Sequence, residues 1–87
     1  MAKYSVELKP SASKELDRLP AKLIERIFER LDSLTADPRP RGCRKLKGGE
    51  QEWRIRVGDY RVIYTIDDRN FRVDVTRIRH RNEVYDS

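Results

Sequence analysis

From Glu52 to Val75 the chain alternates apolar and polar residues, interrupted only by Gly58-Asp59 and by Asp67-Asp68-Arg69-Asn70. Trp53, Ile55 and Val57 alternate with Glu52, Arg54 and Arg56. Tyr60, Val62, Tyr64 and Ile66 alternate with Arg61, Ile63 and Thr65, and Phe71, Val73 and Val75 carry a third run. A period of two belongs to strands with one buried face, and the two interruptions are made of turn residues. The pattern predicts a three-stranded antiparallel meander. Such a sheet needs a cover for its apolar face, and the first part of the chain must supply it.

That part divides at its prolines. Tyr4, Val6 and Leu8 alternate with Ser5, Glu7 and Lys9, which predicts a half-buried strand ending at Pro10. Ser11 is placed to cap a short helix with apolar positions at Ala12, Leu16 and Leu19. Pro20 ends it and suits the first turn of a second helix running to about Ala36. Leu23, Ile24, Ile27, Phe28, Leu31 and Leu34 form its apolar stripe, while Lys22, Glu25, Arg26, Glu29 and Arg30 face water. The short connection predicts an antiparallel helix hairpin. Asp37-Pro38-Arg39-Pro40-Arg41-Gly42 reads as a loop. The expected fold is α+β with the order β-α-α-β-β-β, a helix hairpin on one face of a small, mostly antiparallel sheet. With 87 residues, one domain over 1–87 is expected.

Charged residues make up 40% of the chain and apolar ones 37%, a mix near the limit for folding that the strong patterning offsets. The net charge of +5 points to a phosphate-rich or acidic partner. Cys43 is the only cysteine, which excludes an intrachain disulfide and a paired-cysteine metal site. No metal or cofactor is expected. No apolar run is long enough to span a membrane, and Met1-Ala2-Lys3-Tyr4-Ser5 lacks the apolar region of a signal peptide, so a cytoplasmic protein is expected.

Parity links this architecture to chemistry. With Trp53, Ile55 and Val57 toward the helices, Arg54 and Arg56 point the other way, and Arg61 joins them. Neighbouring strands lie about 4.8 Å apart, so three guanidinium groups crowd one face. Opposed like charges are unfavourable, and a bound polyanion would relieve them. The stretch Arg77-Ile78-Arg79-His80-Arg81-Asn82-Glu83-Val84-Tyr85 adds three more arginines, a histidine and a tyrosine. Arginine binds phosphate bidentately, tyrosine stacks on bases, and histidine moves protons near neutral pH. The residues alone therefore suggest RNA as a partner.

Four segments carry a family resemblance: Leu46-Lys47-Gly48, Trp53-Arg54-Ile55-Arg56-Val57, Gly58-Asp59-Tyr60-Arg61-Val62-Ile63-Tyr64 and His80-Arg81-Asn82-Glu83-Val84-Tyr85. Together they resemble the RelE branch of the RelE/ParE toxin superfamily over nearly the whole chain. The resemblance implies a toxin of a type II toxin–antitoxin system that enters the ribosomal A site and cuts messenger RNA. It also implies neutralisation by an acidic, RelB-like antitoxin, with no membrane partner and no direct DNA binding without that antitoxin. Carried over residue by residue, it marks Arg54, Arg56, Arg61, either Arg79 or Arg81, and Tyr85. Lys45 and Lys47 would hold RNA phosphates. The chain departs from the family where Arg54 and Arg56 replace lysines, one of which is proposed as general base. An arginine of pKa above about 12 does not accept a proton at neutral pH.

The chemistry so implied is attack of a 2′-hydroxyl on its own 3′ phosphate. Arg56, Arg61 and Arg81 would stabilise the phosphorane, and His80 is the one side chain whose ordinary pKa suits proton transfer. Two rival readings share the fold. One is a ParE-like inhibitor of gyrase, and the other is an RNA-binding module without catalysis. A supercoiling assay separates the first. Against the second, the aromatic residues of the meander lie on the core side rather than on the open face.

Overall fold

The computed structural model describes residues 3–46 and 51–81. Strand β1 (Ser5–Leu8) is followed by helices α1 (Pro10–Asp17) and α2 (Ala21–Leu34). Strands β2 (Arg44–Lys45), β3 (Glu52–Val57), β4 (Tyr60–Asp67) and β5 (Arg72–His80) complete the described chain. The expected β-α-α-β-β-β order holds, with the two-residue β2 added as a fifth strand. The sheet order is β1-β5-β4-β3-β2, antiparallel throughout except for the β1–β5 pair. Among the described residues no helix is long and apolar enough to cross a membrane.

The core lies between the helices and one sheet face. Ala12 and Leu16 from α1, and Ile27, Leu31 and Leu34 from α2, pack with Ile55, Val57, Val62, Tyr64, Ile66, Val73, Val75 and Ile78. The α2 residues are spaced four and three apart, the repeat that puts them on one side of a helix. Phe28 departs from the predicted stripe. It is 49% exposed, because one residue beyond Ile27 turns a side chain about 100° around the helix axis. The start of α1 also differs from expectation. Pro10 opens the helix, Lys9 is its N-cap, and no side chain caps it. Ser11 instead donates its hydroxyl to the carbonyl oxygen of Thr76 at 2.8 Å.

One irregularity decides where the arginines of β5 point. Ile63 pairs with Arg77, but its neighbour Tyr64 pairs with Val75, which leaves Thr76 as an extra residue on β5. This is a β-bulge, and it reverses the alternation of the strand. Before it, odd-numbered Val73 and Val75 are buried. After it, even-numbered Ile78 is buried. Arg77 and Arg79 are thereby opposed to Ile63 and Arg61 on the face away from the helices.

The loop after α2 is pinned by side chains. The Tyr64 hydroxyl donates to the carbonyl oxygen of Pro38 at 2.8 Å, and burial pushes this phenol above its ordinary pKa. Arg39 grips Asp68 with both terminal nitrogens, at 3.1 and 2.7 Å, and lies 5.2 Å from the centre of the Trp53 ring. The Tyr4 hydroxyl donates to the same carboxylate at 2.6 Å. Hydrogen bonds from Arg39 and Tyr4 hold the Asp68 carboxyl at about 2, below the ordinary range.

Candidate RNA-binding cleft

The β3–β4 hairpin turns on two residues, Gly58 and Asp59. Gly58 has φ +61°, a conformation a residue with Cβ adopts only with strain, and it occupies the first central position as in a type II′ turn. Such a turn brings Arg56 and Arg61 into direct cross-strand opposition. On the other side of β4, Arg61 opposes Arg79. The row Arg56–Arg61–Arg79 therefore runs across three strands on one face.

The hairpin and the end of β5 enclose a cleft of about 190 Å³ lined by Arg56, Gly58, Asp59, Tyr60, Arg61 and Arg81. The backbone N–H of Arg81 donates to the carbonyl oxygen of Asp59 at 2.8 Å, which ties the chain after β5 to the turn. Among the described residues, three guanidinium groups and one carboxylate line this volume. It can hold an anion the size of one phosphodiester group. Among the described residues, Asp59 is the one carboxylate that lines the cleft.

Of the predicted residues, Arg56, Arg61 and Arg81 meet in the cleft. Arg79 is directed to α1, with its Nε 2.6 Å from Oε2 of Glu15. Arg54 lies on the same sheet face but is only 3% exposed, opposite the equally buried Ile63, so the predicted open arginine surface is closed at that row. Lys45 is exposed on β2, beside the cross-strand partner Trp53. His80 is opposed to Tyr60 across the strands, with the rings edge to face at a centroid distance of 5.3 Å. It therefore stands beside the cleft, behind Tyr60, and is not among its lining residues. Lys47 and Tyr85 lie outside the described residues.

Four contributors are not marked by the sequence pattern. Asp59 and Tyr60 were a turn residue and a core residue, yet both line the cleft. Arg26 and Arg30 fall on the predicted solvated side of α2. Arg30 Nη1 donates to the carbonyl oxygen of Arg56 at 3.1 Å, and Arg26 Nη1 lies 3.6 Å from where a Cβ on Gly58 would stand. Proximity of Asp59 and Tyr60 to Arg61 was the available signal for the first two. Nothing local marks the second two, because their partners lie in another element.

Among the described residues, no group of three or more His, Cys, Asp or Glu side chains is placed to hold a metal ion. Residues 6–85 match the family model described as ParE toxin of type II toxin–antitoxin system, parDE. The chain is 30% identical to the putative toxin RelE1 of Methanocaldococcus jannaschii, over 95% of this chain and 96% of that protein. It is 34% identical to toxin RelE of Mycobacterium tuberculosis, over 94% of this chain and 86% of that protein. Its fold superposes on a chain of the archaeal RelE–RelB complex from Pyrococcus horikoshii with a TM-score of 0.81 and 30% identity, covering 93% of this chain and 98% of the other. The toxin–antitoxin complex RelBE2 of M. tuberculosis gives the same TM-score at 28% identity, covering 92% and 93%.

Proposed function

The chain belongs to the ParE toxin family of type II toxin–antitoxin systems, and from that premise we propose that it is a ribosome-dependent endoribonuclease that cuts messenger RNA in the cytoplasm. The observation that carries the reading is the convergence of Arg56, Arg61 and Arg81 on one cleft. The 2′-oxygen of the RNA forms a bond to its own 3′ phosphorus, and the bond to the 5′-oxygen breaks. The products are a 2′,3′-cyclic phosphate and a 5′-hydroxyl. One proton leaves the attacking oxygen and one reaches the departing oxygen. The pentacoordinate intermediate carries extra negative charge, which preorganised guanidinium groups stabilise.

Within this reading Arg56, Arg61 and Arg81 contact the phosphate. Asp59 is the candidate acceptor for the 2′-hydroxyl proton, a role that Arg54 and Arg56 do not fill. Arg54 acts by packing, and His80 by holding the Tyr60 ring. Lys45, with Lys47, extends the positive charge along the RNA. The ribosome supplies alignment of the message, since among the described residues the cleft presents one aromatic side chain, Tyr60. Relatives of this chain are found in complexes with RelB, and a RelB-like antitoxin is the expected partner. Its acidic side chains would cover the cleft. Charge pairing of that kind raises the rate of association more than the final affinity, so added salt should slow the on-rate.

The test is cleavage of a defined message on purified ribosomes, with naked RNA as control. Cleavage only on the ribosome, leaving a cyclic phosphate, supports the proposal. A toxin that leaves message intact and inhibits gyrase supercoiling would place this chain with the ParE-like inhibitors instead. Equal cleavage of naked RNA would remove the ribosome from the mechanism.

A further inference from the structure

Strand β5 is supported differently along its two halves. Its outer edge pairs with β1 only over Arg72–Val75, where Leu8 meets Val75, and the N–H of Lys9 adds a bond to the Val75 carbonyl oxygen at 2.9 Å. Beyond that point the strand is bulged and has no neighbouring strand on this side among the described residues. Backbone groups so exposed within a fold require other partners. Helix α1 supplies them through side chains. The Ser11 hydroxyl donates to the Thr76 carbonyl oxygen at 2.8 Å, and Glu15 Oε1 accepts the N–H of Ile78 at 2.8 Å. The second oxygen of the same carboxylate, Oε2, pairs with Arg79 Nε at 2.6 Å. With 23% of the Glu15 side chain and 32% of the Arg79 side chain exposed, this is a partly buried pair.

One carboxylate therefore bears on two consecutive residues of β5. Arg79 directly opposes Arg61, and like charges opposed across strands repel. Glu15 offsets that repulsion from the side away from the cleft. Two residues beyond Arg79, the chain delivers Arg81 to the cleft wall. We infer that Glu15 is a positioning residue: its carboxylate fixes the backbone at Ile78 and the guanidinium of Arg79, and so sets where Arg61 and Arg81 stand. The inference rests on the nuclease reading of the cleft and adds to it a residue on the first helix, far from Arg81 in sequence.

The experiment compares Glu15→Gln, Glu15→Ala and Glu15→Asp in the full chain. Tm, amide exchange at Ile78, the single-turnover cleavage rate on saturating programmed ribosomes and the half-saturating ribosome concentration are measured for each. Glu15→Gln keeps an oxygen acceptor but loses the charge. It should retain Ile78 protection and lose rate at unchanged half-saturation. Glu15→Ala should lose both protection and rate, the latter by about 10²-fold, as expected when catalytic groups are misplaced by about 1 Å. Glu15→Asp should recover part of the rate. A Glu15→Ala protein that is folded and cleaves at the wild-type rate overturns the inference, as does a rate loss that merely follows the folded fraction. Arg61→Ala run in parallel separates the two ideas. Loss in Arg61→Ala with none in folded Glu15→Ala overturns positioning alone, whereas no loss in either overturns the cleft reading and this inference with it.

Discussion

Strand β4 carries an arginine cluster at each end, and the two are built to different ends. At its finish, Arg39 is matched by one carboxylate in a two-pronged grip, with Tyr4 on the same oxygen and Trp53 beneath the guanidinium. Every charge there has its opposite, and the cluster holds a loop, a turn and the first strand together. At its start, Arg56, Arg61 and Arg81 line a cleft together with Asp59. Arg39 serves a contact between elements, whereas these three arginines converge on a concavity. Guanidinium groups gathered around a concave place are suited to an anion from outside.

The contrast can be broken most severely at the cleft. Arg61→Ala should lower cleavage on the ribosome by about 10²–10³-fold, as removal of a preorganised charge-stabilising donor does, with little change in Tm. A folded variant with normal cleavage would return Arg61 to the structural class. The opposite outcome is expected on the loop side. Tyr64→Phe leaves the Pro38 carbonyl without its donor and should cost about 1–3 kcal/mol in urea unfolding, with cleavage by the folded fraction unchanged. Normal stability would show that the loop is not held there.

Asp68 sharpens the comparison through pH. Its folded pKa, about 2, is depressed from the ordinary 3.8. Its contribution to stability is therefore complete above the ordinary value and is lost as pH falls from about 4 toward 2. Asp68→Asn should flatten that part of the acid unfolding curve and lower Tm near neutral pH, while leaving cleavage of folded protein intact. An acid limb identical to wild type would dissolve the matched cluster as a stabilising unit. The smallest effect is expected at exposed Lys45. Lys45→Ala should weaken ribosome binding modestly and reduce the salt slope by about one, as loss of one phosphate contact does. An unchanged slope would leave Lys45 a solvated charge.

Much of the first cluster was hidden in the sequence, and much of the second was visible. Alternation from Glu52 to Ile66 is a local property, so the faces of Arg56 and Arg61 could be read directly. The Gly58-Asp59 turn, which sets their register, is local as well. Arg39 and Asp68 are 29 residues apart, and nothing near either names the other. The bulge at Thr76 was also invisible. Threonine is an ordinary strand residue, and only the shift from buried Val75 to buried Ile78 betrays the inserted position. The consequence reaches the site itself, since the apolar alternation stops at Val75 while the strand continues as far as His80. Ser11 illustrates the opposite error. A serine near a helix start is a reasonable cap, but Pro10 already opens the helix, and the hydroxyl serves β5 instead.

The pairing of β1 with β5 joins the first of the described strands to the last. In the order of synthesis, β1 leaves the ribosome ahead of both helices and three other strands, and only then is its neighbour made. Contacts of such sequence separation close late and slowly. The sheet cannot be finished, nor Arg81 brought against the Asp59 turn, until β5 has been made. For a protein proposed to attack ribosomes, this topology keeps the working cleft unformed while the first four strands are translated.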